Sequence, residues 1–316
     1  MRSSPSLRSV AVAAAVAVLP AAALGDGIDV ESRVGAGEWG RTAAVEARLG
    51  TPVALRVRPV AGGTIRWYRI VPDASRPYNN AVWPWDPGPY RWLGYAKIGY
   101  AREELEALRG RWEIAPEAKA GSRWFQAEVI EPTGRVRSSP GLERNDARGL
   151  SPDVVRVTFR EGDDLVGQLT GFFDVPGVFG SVPYQVRNYL GVDCADVLMA
   201  AWARANDRPI ERDWNVAALV RELPVVAGTT IASGAPAARL RWGEDVRRGD
   251  LLAVRYAGWR QFGHVGALYG DDGDGVLDGE DLVLHAGPQA LHLSRLADGP
   301  FDGEVKVLRP GPARPR

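Results

Sequence analysis

Residues 191–202 read Gly191-Val-Asp-Cys-Ala-Asp-Val-Leu-Met-Ala-Ala-Trp202 and hold the chain's single cysteine, Cys194. Asp193 is a good helix N-cap, which puts Cys194 in the first turn of an apolar helix over 194–206. Cys194, Val197, Leu198, Ala201, Trp202 and Ala205 share one face at helical spacing. A thiol there meets unpaired backbone N–H groups at the positive end of the helix dipole, which favours the thiolate. Asp193 and Asp196 oppose it, so a histidine partner is needed to complete activation. Downstream, Leu251–Tyr256, Val265–Tyr269, Leu282–His285 and Glu304–Leu308 read as strands, and a further helix is predicted at Val216–Leu223. A cysteine-bearing helix followed by an antiparallel sheet is an α+β arrangement.

Upstream of that unit the pattern is short strands. Val53–Arg58, Thr64–Val71 and Arg123–Ile130 alternate apolar and polar, and Gly62-Gly63 reads as a hairpin turn between the first two. Trp67 and Trp124 are expected to point into one core. The predicted architecture over 26–150 is an immunoglobulin-like β-sandwich without a disulfide, resting on strand pattern alone. Ala101–Leu108 reads as a short helix within it. Tyr78–Tyr100 is rich in aromatics, among them Trp83, Trp85, Tyr90, Trp92 and Tyr95, and reads as a long loop folded back on the sandwich. Ser138–Ser151 reads as the linker to a second domain over 151–316, in which Asp164–Thr170 opens a helix and Gly177–Gly180 makes a turn.

The first residues carry Arg2 and Arg8, then an apolar run from Val10 to Leu24. Ala23 and Gly25 are small enough for a signal peptidase, which predicts a signal peptide over 1–25 and an exported, periplasmic or extracellular protein. No other stretch is long enough to span a membrane. The 39 basic and 39 acidic residues cancel, which argues against nucleic acid as the main partner. A lone cysteine in an exported protein has no internal disulfide partner. It is inert, bridges chains or does chemistry.

Two of the three histidines lie where chemistry could use them. His264 starts one strand, in Gly263-His-Val-Gly, and His285 ends the next, in Leu282-Val-Leu-His. If these strands pair as a hairpin, both side chains project from one face at the same end. Thiol catalysis needs a base beside the sulfur and a third group to orient the base, and Cys194, His264 and His285 would fill those roles in order. His292 alternates outward on a polar strand and reads as solvated.

Asp193-Cys194 opening a helix, Gly249-Asp250 before a strand, Gly263-His264-Val265-Gly266 and His285-Ala286 resemble, in that order, the NlpC-like cell-wall cysteine peptidases, a compact branch of the papain fold. Val182-Pro183-Tyr184 is similar to the family's Pro-Tyr element. The resemblance covers roughly residues 165–310. It implies a papain-like catalytic domain cleaving an amide bond in peptidoglycan stem peptides, with no catalytic cofactor. It also implies that Tyr184 lies beside the nucleophile at the oxyanion site, with Asp193 beside it as a candidate oxyanion or substrate-binding residue. Tyr184 also fits a plain packing role. Two departures stand out. Ala195-Asp196 replaces the family's Ser-Gly after the cysteine, and Gln185-Val186-Arg187-Asn188 replaces its glycines after the tyrosine.

Between the two histidines, Asp271-Asp-Gly-Asp-Gly-Val-Leu-Asp-Gly-Glu-Asp281 resembles a calcium loop of EF-hand type. Asp272, Asp274, Asp278 and Asp281 fall at ligand positions for a structural calcium, although Gly270 stands where the first carboxylate is expected. An Asp- and Gly-rich hairpin connection gives the same composition. Two rival functions use the same residues: a peptide- or wall-binding protein without turnover, and a zinc site of Cys194, His264 and His285.

Overall fold

The computed structural model describes residues 27–80 and 98–312, a mixed α+β chain of many strands and few helices. The expected signal peptide and the aromatics from Trp83 to Tyr95 lie outside the described residues. Two sheets enclose the first core. One joins Glu31–Val34, Val53–Arg56 and Glu113–Ile114. The other runs Ala44–Arg48, Val155–Arg160, Gly121–Ile130, Thr64–Pro72 and Tyr100–Glu104, with Val136–Ser138 added beside Gly121–Ile130. Leu55 and Ile114 from the first meet Ile65, Trp67, Ala127 and Val157 from the second.

Three expectations fail here. Val53–Arg56 and Thr64–Pro72 belong to different sheets, so Gly62-Gly63 carries the chain across the sandwich and closes no hairpin. Tyr100–Glu104 is a strand and only Glu106–Leu108 makes a 3-10 turn, because the edge of the sheet offers Thr64–Pro72 as a pairing partner. The sandwich also runs past residue 150. Val155–Arg160 pairs with Gly121–Ile130 and Ala44–Arg48, so the sheet continues to Arg160.

The second half carries α1 (Leu165–Thr170), α2 (Pro183–Arg187), α3 (Cys194–Ala205) and α4 (Val216–Glu222). Side chains of Asp164, Asp193 and Asn215 cap α1, α3 and α4 by accepting first-turn N–H groups. Seven strands follow in the order Ala235–Pro236, Val225–Ala232, Gly303–Leu308, Leu251–Arg255, His264–Gly270, Leu282–His285 and His292–Arg295. The sheet curls around Leu252, Val254, Leu268, Val283, Phe301 and Val305. Its other face, through Ala253, Val265, Ala267 and Leu284, packs on α3.

Trp124 does not join Trp67. It faces the opposite side of its sheet and packs with Ile70, Leu150, Val166 and Phe172 in the cluster that also contains α3. A polar seam reinforces this joint. Glu46 of the sandwich accepts from Arg156 Nη2 and Arg204 Nη1, each at 3.1 Å. The same two arginines donate to the carbonyls of Asn188 and Arg187 at the end of α2, at 3.1 and 3.0 Å. Arg156 is buried, and a buried guanidinium is tolerable only with such partners. No helix among the described residues is long and apolar enough to cross a membrane.

Candidate active site

Asp193 closes the N-terminus of α3. Its Oδ1 accepts the N–H of Ala195 at 3.1 Å and of Asp196 at 2.9 Å, and its carbonyl accepts Val197 N–H. The cap engages Oδ1 of the carboxylate expected as an oxyanion or substrate-binding group. The first-turn amide it leaves over is that of Cys194 itself. Gly287, at φ +94°, lies across from this amide, and a Cβ there would stand 4.0 Å from Cys194 N. Glycine suits the backbone angle and leaves that approach clear.

Ser181 ties the preceding turn to the same helix. Its hydroxyl accepts Asp193 N–H at 3.1 Å and donates to Asp196 Oδ2 at 3.0 Å. Asp196 Oδ1 accepts Trp214 N–H at 2.7 Å. Asp196, which stands where the resemblance expects glycine, is thus a buried brace between α3 and the segment leading to α4. Its residue type gave no sign of this in the sequence.

The strands His264–Gly270 and Leu282–His285 pair antiparallel with Gly266 opposite His285, which brings the two histidines together. His264 Nε2 lies 3.2 Å from His285 Nδ1, and His285 Nε2 lies 3.0 Å from Ser294 Oγ. Phe301 packs against both rings. Cys194 is half-buried, and the backbone N–H groups of Val265, the residue after His264, and of Ala195 act to lower its thiol pKa. Because Nε2 of His264 is committed to His285, Nδ1 is the nitrogen available to the thiol. His264 is not hydrogen-bonded to the sulfur among the described residues.

His292 is not the solvated residue expected. It stands directly across from His285 in register, with ring centroids 4.2 Å apart, and its Nδ1 donates to Ala290 O at 2.9 Å. Ser294 was missed, and His292 was read as solvated, because their strand is short and polar. Only its register beside Leu282–His285 reveals them.

Burial governs the electrostatics. It holds His264 down to about 4, with a smaller contribution from His292, and His285 down to about 2, with contributions from both other histidines. Burial also pushes the Cys194 thiol well up, and the Asp193 charge adds to this. Both Asp193 and Asp196 are raised, chiefly by burial. Both shifts favour the neutral thiol and the neutral imidazole, against the direction in which the helix dipole and a His264 partner act on the thiol.

Tyr184 is half-buried in α2, with the guanidinium of Arg148 5.4 Å from its ring centre. The acidic loop does not gather the expected ligand set. Asp281 is buried, its oxygens taken by Trp242 Nε1 and the N–H groups of Asp272 and Asp278. Asp278 accepts Glu280 N–H. The carboxylates close enough to share an ion among the described residues are those of Asp271, Asp272 and Asp274, all exposed. Cys194, His264 and His285 do not converge in that way, so the trio does not form a zinc cage. No family model, curated protein or solved structure matches the chain.

Proposed function

We propose that the protein is an exported cysteine hydrolase of the NlpC-like type, built from an immunoglobulin-like sandwich and a papain-like catalytic half, that cleaves an amide bond in peptidoglycan stem peptides. The observation that carries this reading is the bond between His264 Nε2 and His285 Nδ1, on strands that pack against the helix opened by Cys194. It supplies a nucleophile, a base and an orienting group in the order thiol catalysis requires.

For His264 to act as base, Nδ1 must carry the lone pair. Nε2–H then donates to His285 Nδ1, and His285 Nε2–H donates to Ser294 Oγ. The S–H proton passes to His264 Nδ1 as the sulfur bonds the amide carbon. The oxyanion takes the Cys194 N–H at the helix start. The C–N bond breaks as His264 returns the proton to the leaving amine. Water, deprotonated by His264, then cleaves the thioester, giving a carboxylic acid and the free thiol. Tyr184, on α2, is the further donor to the oxyanion that the resemblance implies.

A second reading, a peptide-binding protein without turnover, draws on the raised thiol and the weakened base. Incubating the protein and its Cys194→Ala variant with wall fragments, followed by mass spectrometry, separates the two. A structural calcium held weakly by Asp271, Asp272 and Asp274 is a further part of the proposal, remote from the chemistry.

A further inference from the structure

A cavity of about 660 Å³ opens behind α3. The buried side chains of Met199, Ala200 and Ala203 line it, and at about 100° per residue they lie on the side of the helix away from Cys194. Trp202, Ile210 and Trp214, all half-buried, line it nearer the surface. The last described residues of the chain arrive here. Arg309 roots them: its N–H donates to Pro224 O at 2.9 Å, and its guanidinium is bidentate to the buried Asp250. Trp202 Nε1 then donates to Gly311 O at 2.8 Å, between Pro310 and Pro312. Proline-rich chain is extended with its carbonyls unbonded, so an aromatic groove that offers an indole N–H can hold it.

Gly311 and Pro312 line this cavity and also a smaller one, of about 260 Å³, that shares Trp202. The sequence continues with Ala313-Arg314-Pro315-Arg316, two cations and a further proline. Charge chooses between the two cavities. The smaller one carries Arg247 and Arg248, and its carboxylates are engaged, Asp164 in capping α1 and Asp250 by Arg309. The larger sets Arg208 and Arg212 against Glu211, Glu222 and Asp196. Arg212 is held by two bonds to Glu222, whereas Glu211 is exposed and has no ion-pair partner among the described residues. Two further guanidinium groups are repelled from the first and drawn to the second.

We propose that the cavity behind α3 is the docking site of the chain's own proline-rich tail, filled by residues 313–316 with Arg314 paired to Glu211. Tethered at Gly311, the segment meets the groove at high effective concentration. It packs the rear of the helix that presents Cys194, and so supports α3 whatever reaction the thiol performs.

The test is a zero-length cross-link in the full chain. Carbodiimide treatment of an Arg314→Lys variant should join the new amine to the Glu211 carboxylate, read by peptide mass spectrometry, and adding Glu211→Gln should abolish that product. Removing residues 313–316 should lower the melting temperature by about 2 °C, because the apolar wall of Met199, Ile210 and Trp214 is left to water. No cross-link to Glu211, a cross-link to Asp164 in the smaller cavity instead, or a truncated chain that melts like the full one would each overturn the proposal. Any of these results would leave the cavity to another occupant, a partner's peptide or a small ligand.

Discussion

His264 Nε2 and His285 Nδ1 stand 3.2 Å apart inside the protein, and the far nitrogen of His285 meets Ser294 Oγ at 3.0 Å. The bond fixes which nitrogen of His264 is free, and it makes the three residues unequal. His264→Ala should remove both the base and the acid and lower kcat by roughly a thousandfold. His285→Asn and Ser294→Ala leave the base in place but loosely held, and should cost roughly tenfold to a hundredfold, with Ser294→Ala the milder. Steady-state kinetics on one peptide substrate checks the order. Equal losses in His264→Ala and Ser294→Ala would contradict the relay.

The pH behaviour follows from burial. The folded Cys194 thiol is raised above its ordinary value, so it stays protonated where an unfolded cysteine is already ionising. Alkylation by iodoacetamide should therefore be slower in the native protein than in urea across about pH 6 to 9. His264 is lowered from 6.5 to about 4, so it remains an unprotonated base on the acid side. The acid limb of kcat/KM should then fall near pH 4 and not near 6.5. A native thiol that alkylates faster than the unfolded one at neutral pH would mean a resting ion pair.

The joint between the halves should be felt in stability. Glu46→Ala leaves the buried Arg156 without its counter-charge and loosens the carbonyls of Arg187 and Asn188. Glu46 is partly exposed, which screens the loss to about 2 kcal/mol, or roughly 5 °C in melting temperature. Calorimetry should show one transition before and after the change, because Trp124 packs both halves into one cluster. Two separate transitions in the wild type would show that the halves unfold independently.

For the acidic loop, calcium at about millimolar concentration should raise the melting temperature modestly by binding the folded state. Asp272→Asn with Asp274→Asn should erase that rise, whereas Asp278→Asn should leave it, because Asp278 is turned to Glu280 N–H. A rise abolished only by Asp278→Asn would restore the four-aspartate arrangement expected from the sequence.

Helix α3 was legible residue by residue, because an Asp cap and an apolar face at period 3.6 leave little choice of start or direction. The strands ending or starting at the two histidines were equally plain. Trp124 was not, since Gly121–Ile130 is buried on both faces and alternation cannot say which core each side chain joins. Val225–Ala232 went unseen because it is mostly exposed and draws its pairing from Gly303–Leu308. The Ser294 and His292 contacts depend on register between strands, and the upward push on the thiol depends on burial. Neither is written in local pattern.

Mass spectrometry of stem peptides incubated with the full chain tests the central claim most directly. Hydrolysis through Cys194 predicts peptide fragments split at one amide bond, an acyl group trapped on Cys194 after acid quenching, and loss of both in a Cys194→Ala protein that melts like the wild type. Fragments formed at the same rate by Cys194→Ala, or no fragment from the wild type against any wall peptide, would contradict it.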